Sequence, residues 1–328
     1  MSVTTEGSGQ MARARPATAN IPATMGAIRL QAPGDPAALD CQQVETPRPG
    51  RGEVLVRVHA AAITRGELEW PADRLPATPS YEFSGVVATI GRDVDRTAAG
   101  EAVYALSGFD RDGAAAEYVV VPQQFLAPKP RTLGHVQSAA IPLAGLSARQ
   151  GLLDHGHLRE GERVLVHGAA GGVGGFAVQL AHALGAHVIA TASTGNVQTA
   201  RELGADEVID HTTTRFEDVV GQVDLVFDTV GGARLQRSVS VLAAGGRLVS
   251  VASEPPREEA AERGVSAVYF VVEPNREQLV ELARLADHGE LRPTIDAVFP
   301  LGEARQAFER SLGGNRRGKI VLRVAEKP

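Results

Sequence analysis

The chain has 328 residues, 43% hydrophobic and 4% aromatic, with a formal net charge of −6; that length suggests about two domains of roughly 150 residues each. An acidic balance with acids and bases mixed along the chain excludes the basic face of a nucleic-acid binder, and the longest apolar runs, such as "AVYFVV" at 267–272, are far too short to span a membrane. The single cysteine, Cys41, excludes a disulfide within the chain and points to a reducing compartment, the cytoplasm.

Residues 1–24 lack the apolar stretch of a secretory signal and are expected to be a disordered extension, with folded sequence starting near Met25. From there to about Lys129 the pattern is strand-like. "EVLVRVHAAAI" (53–63), "FSGVVATI" (83–90), "EAVYAL" (101–106) and "AAEYVVV" (115–121) are β-rich runs between turn clusters, which predicts a barrel-like β unit. From about Arg163 the rhythm changes. Apolar strands "RVLVHG", "HVIATA", "DEVID", "VDLVFDTVG" and "GRLVSVA" alternate with helical stretches at 174–185, 197–204, 214–221 and 233–243. Such alternation predicts parallel βαβ units in a doubly wound sheet, so the fold class is α/β. Helices near 276–288 and 302–313 and a last strand, "GKIVLRV" (318–324), complete the chain.

In "HGAAGGVGG", Gly172, Gly174 and Ala177 satisfy G-x-G-x-x-A between a strand and a helix, a form of the dinucleotide fingerprint. Small residues there permit the tight turn, the approach of a pyrophosphate and the packing of helix on strand. The helix start offers free N–H groups to phosphate. A nucleoside-triphosphate loop would need Gly-Lys-Ser/Thr, and no lysine occurs here.

The stretch "HGAAGGVGGFAVQLAHALGAHVIATAS…ELGADEVIDH" resembles the quinone oxidoreductase (zeta-crystallin-like) branch of the medium-chain dehydrogenase/reductase superfamily. So do "GEVLVRVHAAAITRGELEW", "YEFSGVVATIG", "AAAEYVVVP", "IPLAGLSARQGL", "VFDTVGG" and "RGKIVL", in the family's order across 25–324. The resemblance implies a discontinuous GroES-like catalytic domain (25–146 and 274–328) with a Rossmann nucleotide-binding domain (147–273) inserted. It also implies a nicotinamide cleft between the two, and a homodimer joined through the nucleotide domain.

Many members of the superfamily hold zinc, and zinc needs clustered Cys, His or carboxylate ligands. Here Thr64 stands where a catalytic cysteine is expected. Ser80-Tyr81-Glu82 replaces Gly-His-Glu, and a four-Cys lobe is absent, so no metal is expected. His155 and His157 read as a solvated loop. Hydride transfer to the β-carbon of an enone or quinone needs only positioned donors for the developing enolate. The candidates are Thr64, as donor to the substrate oxygen or merely a strand end, and Tyr81, as donor, aromatic wall or packing. Trp70 and Phe109 either shape the pocket or pack in the core.

By resemblance, Ser147, Gly171, Gly172, Val173, Gly174, Val230, Ser250, Ala252, Phe270, Val272 and Lys319 contact the cofactor. The second strand of the nucleotide fold ends "ATASTGN" without the acid that accepts a ribose 2′-hydroxyl in NAD-preferring folds. Ser193, Thr194 and Asn196 can donate to a 2′-phosphate, and Arg201 is the nearest cation in sequence, so NADPH is the expected cofactor. The expected activity is reduction of a small quinone or α,β-unsaturated carbonyl. An enoyl or enone reductase of a specialised pathway and a non-catalytic NADPH-binding protein are the alternatives.

Overall fold

Alternating valines and alanines make "EVLVRVHAAAI" one strand with the expected bounds, Glu53–Ile63. In the computed structural model, which describes residues 21–314 and 317–325, it is the third of fifteen strands among the described residues. The expected N-terminal extension falls almost wholly outside the described residues. A hairpin precedes it, β1 (Thr24–Leu30) against β2 (Leu39–Glu45). The sequence does not announce β2, because "LDCQQVE" is mostly exposed and carries no apolar alternation. After β3 come β4 (Glu82–Ile90), β5 (Ala102–Leu106), β6 (Tyr118–Pro122) and β7 (Leu126–Pro128). From the far end of the chain come β14 (Ile295–Pro300) and β15 (Lys319–Arg323). These form one sheet in the order β14–β15–β3–β4–β5–β7, with β6 also on β3. Both chain ends thus build one β unit, and β15 pairs antiparallel with the end of β3, Ile320 opposite Ile63.

Two helices, α1 (His135–Ala139) and α2 (Pro142–Arg149), lead into the second sheet. Its strands are β8 (Arg163–His167), β9 (His187–Ala192), β10 (Glu207–Asp210), β11 (Val223–Asp228), β12 (Leu242–Ser250) and β13 (Ser266–Tyr269). They run parallel in the order β10–β9–β8–β11–β12–β13, the doubly wound arrangement expected. The crossovers carry α3 (Gly172–Ala183), α4 (Val197–Glu202), α5 (Gly232–Arg237) and α6 (Arg257–Glu262). The helix expected at 214–221 is a correction: only a 3₁₀ turn, Phe216–Asp218, forms there. The Asp210 carboxylate captures the N–H and hydroxyl of Thr212, and β-branched Thr and Val are poor helix formers. The helix expected at 233–243 likewise stops at Arg237, and Leu242 already begins β12. Finally α7 (Arg276–Asp287) and α8 (Ala304–Leu312) return the chain to β15.

The two sheets meet at one point that matters for function. Gly318 donates its N–H to Ala170 O at 2.9 Å, fixing the start of β15 on the glycine turn after β8. Only glycine serves at 318: φ is +75°, and a Cβ would stand 2.0 Å from Thr294 O.

Candidate active site

The glycine turn and the start of β15 open onto a cleft of about 1200 Å³ lined from both sheets. On the nucleotide side Gly171 caps α3, and Gly171, Gly172 and Val173 line the cleft. A helix N-terminus there presents unpaired N–H groups and a positive dipole end, a ready anion site. Gly174 has the packing role of the fingerprint instead. It is buried, and a Cβ on it would meet Gly168 O at 2.2 Å.

Facing that turn is a buried charged cluster. The Lys319 stem crosses Gly172 so closely that a Cβ on the glycine would lie 2.7 Å from Lys319 Cδ. Its ammonium donates to Thr64 Oγ1 at 2.9 Å and forms a salt bridge with Glu82 Oε1. Glu82 is 0% exposed; its other oxygen accepts the Leu143 N–H at 2.8 Å. Glu67 is 1% exposed, accepts the Ser80 N–H through Oε1 at 3.2 Å, and leaves Oε2 without a partner. Burial pushes the Glu67 carboxyl up to about 8, against the opposing pull of the Lys319 charge. An ammonium only donates, so Thr64 Oγ1 must accept from Lys319. The one hydroxyl proton of Thr64, on the cleft wall, is thereby left to donate.

Tyr81, the other expected catalytic residue, is fully buried and does not line the cleft. Its hydroxyl accepts from Arg74 Nη2 at 3.4 Å, and burial, then the Glu67 carboxyl, push the phenol up. The ring backs an aromatic wall: Trp70 and Phe109 lie 5.7 and 5.3 Å from it and 5.2 Å from each other, edge to face. Both of those line the cleft.

Of the expected cofactor contacts, Ser147, Ser193, Asn196, Val230, Ala252, Phe270, Val272 and Lys319 also line the cleft. Thr194, Arg201 and Ser250 do not. Thr194 is turned to the exposed Thr212 hydroxyl, Arg201 is exposed on α4, and Ser250 is buried with its Oγ donating to Asp228 Oδ2 at 3.0 Å. His155 packs its ring 4.3 Å from Phe270. Sequence reasoning missed a second cation: Arg317 donates to Asn196 Oδ1 at 2.8 Å and to Gly195 O at 2.6 Å. Arg234 and His211, like Ser193, line the cleft. Burial, then the Arg234 charge, hold His211 below the usual histidine range. Arg317 lies 121 positions from Asn196, and no local spacing rule links them. Glu67 was likewise unmarked, although it follows Thr64 by one turn.

Residues 50–131 match the alcohol dehydrogenase GroES-like domain family, and residues 203–322 match the family described as zinc-binding dehydrogenase. A 2-methylene-furan-3-one reductase of Solanum lycopersicum is 34% identical, over 96% of this chain and 83% of its own length. An NADPH-dependent alkenal/one oxidoreductase, chloroplastic, of Arabidopsis thaliana is 34% identical over 82% of this chain and 72% of its own. The solved quinone oxidoreductase of Coxiella burnetii superposes with a TM-score of 0.87 at 33% identity, covering 92% of this chain and all of that one. The chain belongs to the quinone oxidoreductase branch of the medium-chain dehydrogenase/reductase superfamily. It is an oxidoreductase of that superfamily, whose cofactors are nicotinamide dinucleotides. The zinc named in one matching family does not fit the residues of this quinone oxidoreductase relative. Among the described residues no three His, Cys, Asp or Glu side chains gather to hold a metal. Thr64 and Tyr81 are not zinc-ligand types, and the Lys319 ammonium already supplies the positive charge on Glu82.

Proposed function

We propose that this protein is a zinc-independent, NADPH-dependent reductase of quinones and α,β-unsaturated carbonyls, with Thr64 holding the substrate oxygen. The observation that carries the reading is the 2.9 Å bond from Lys319 to Thr64, which leaves a hydroxyl donor on the cleft wall with a buried cation behind it. Such a donor stabilises the oxyanion that develops when hydride adds to the remote carbon. The residues present fit the cofactor. The start of α3 would hold the pyrophosphate, and Ser193, Asn196 and Arg234 on the cleft wall, with Arg317 bonded to Asn196, would take a 2′-phosphate; β9 itself ends without an acid. When bound, a reduced nicotinamide supplies the hydride. The relatives' names, one of them NADPH-dependent, support both substrate class and cofactor.

In this reading residues 25–146 with 274–328 form the catalytic domain and 147–273 the nucleotide domain. The outer edge of β13 bears no strand among the described residues, and Val271 just beyond it is 57% exposed. A second copy joining there would make the homodimer. No helix among the described residues is long and apolar enough to cross a membrane, and Cys41 is a free thiol, so the cytoplasm is the proposed compartment. The test is NADPH oxidation across a panel of quinones, enones, enoyl thioesters and saturated ketones. Turnover of conjugated acceptors and none of saturated ketones is expected. Tight NADPH binding with no oxidation by any acceptor would overturn the reading in favour of a non-catalytic binder, and turnover of enoyl thioesters alone would assign a specialised enoyl reductase.

A further inference from the structure

We propose that Thr64 and Lys319 form the proton-delivery pair of the reduction, Thr64 giving its proton to the substrate oxygen and Lys319 refilling Thr64 from behind. The inference rests on the reductase reading and names the proton source that reading lacks. Geometry fixes the direction of transfer. Lysine has protons to give and no lone pair to accept while charged, so the shared hydrogen bond runs from Nζ to Thr64 Oγ1, and the threonine proton points onward. The threonine lines the cleft, and so does Lys319, but the lysine side chain is only 6% exposed. Bulk water therefore has little access to the rear of the pair, and the cluster must supply the proton itself.

The step balances. Hydride from the dihydronicotinamide forms a C–H bond at the β-carbon of the conjugated system. The C=C pair moves to the adjacent carbon–carbon bond, and the C=O π pair moves onto oxygen. That oxygen takes the Thr64 hydroxyl proton, and the Oγ–H bond re-forms with a proton from Lys319 Nζ, leaving a neutral amine. The substrate is reduced by two electrons to an enol or hydroquinone and the nicotinamide is oxidised. Lys319 regains its proton from water once product leaves. Glu82 holds the lysine in line through the salt bridge. Glu67, kept protonated by its burial, adds no second negative charge that would oppose the oxyanion.

Four variants test this, each measured for kcat on 1,4-naphthoquinone and benzylideneacetone and for NADPH dissociation constant by fluorescence titration. Thr64→Val keeps the shape and removes the proton; kcat should fall about 100-fold, the scale of losing one positioned donor, with NADPH affinity within about twofold. Thr64→Ser should restore kcat to within about tenfold of wild type. Lys319→Ala should lose at least as much as Thr64→Val, and ethylammonium added to it should recover part of kcat, more so as the added amine is made more acidic. Lys319→Ala leaves Glu82 a buried charge, so the double variant Lys319→Ala with Glu82→Gln gives the same readout in a neutral site. Full kcat in Thr64→Val, failure of serine to rescue, or a Lys319 loss confined to NADPH affinity would each overturn the proposal; the first would also remove Thr64 from the substrate oxygen, while the assignment as a reductase of conjugated acceptors, read from the acceptor panel, stands. A wild type that turns over neither acceptor overturns both.

Discussion

Replacing Glu67 by Gln probes the buried cluster through stability rather than turnover. The wild-type carboxyl is raised from 4.5 to about 8, chiefly by burial. Between those values the native protein keeps a proton that the unfolded chain has released. The native state then binds more protons, so stability falls as pH rises through that window. At 1.36 kcal/mol for each tenfold change in proton affinity, the full cost above pH 8 is on the order of 5 kcal/mol. Gln cannot ionise, and its carbonyl can still accept the Ser80 N–H. Glu67→Gln should therefore gain about 1 kcal/mol over wild type at pH 5 and about 5 kcal/mol at pH 9. Urea unfolding followed by Trp70, the sole tryptophan and part of the β unit that holds Glu67, measures the difference. A gain that does not change between pH 5 and 9, or a loss that grows with pH, would refute the assignment of Glu67 as a neutral buried acid.

Ser80 sits at φ +68° with its hydroxyl buried and unpartnered; Ser80→Gly relieves both and should raise stability by about 1 kcal/mol after the entropy of the more flexible unfolded chain. A lower urea midpoint would contradict this. Arg317→Ala should weaken NADPH about tenfold and leave NADH unchanged, as charge-assisted bonds to phosphate predict, whereas Arg201→Ala should change neither; equal loss for both cofactors would remove Arg317 from the phosphate site. Exhaustive EDTA treatment should leave kcat intact, with well under about 0.1 zinc per subunit where a structural site would approach one; stoichiometric zinc by elemental analysis would reverse the fit argued from Thr64 and Tyr81.

How far the sequence carried this depended on the range of each interaction. Strand–turn–helix order around "HGAAGGVGG" is local, so the nucleotide sheet and the phosphate turn were legible, with α3 starting at Gly172, two residues before the expected helix at 174–185; β3 of the other sheet was legible to its bounds. Thr64 was legible as a hydroxyl where a metal ligand would otherwise stand. Its bond to Lys319 was not: resemblance marks Lys319 only as a cofactor contact, and the two residues lie 255 positions apart in sequence, joined only when β15 pairs with β3. The same holds for Arg317, which reaches the loop after β9 only because Gly318 is tied to the glycine turn. Arg201 looked nearer because it is nearer in sequence, but α4 turns it outward. Tyr81 was misleading for another reason. A position beside the cleft in the chain fold says nothing of which way the side chain packs, and here Tyr81, just before β4, is buried against Trp70 and Phe109.

The central claim is that this cleft delivers hydride to the carbon remote from an oxygen held by Thr64. Reduction of benzylideneacetone with NADPH carrying deuterium at the transferred C4 position, followed by NMR of the product, tests it directly. The account predicts one deuterium at the β-carbon of a saturated ketone and none at the carbonyl carbon. Deuterium at the carbonyl carbon, giving the allylic alcohol, would contradict it.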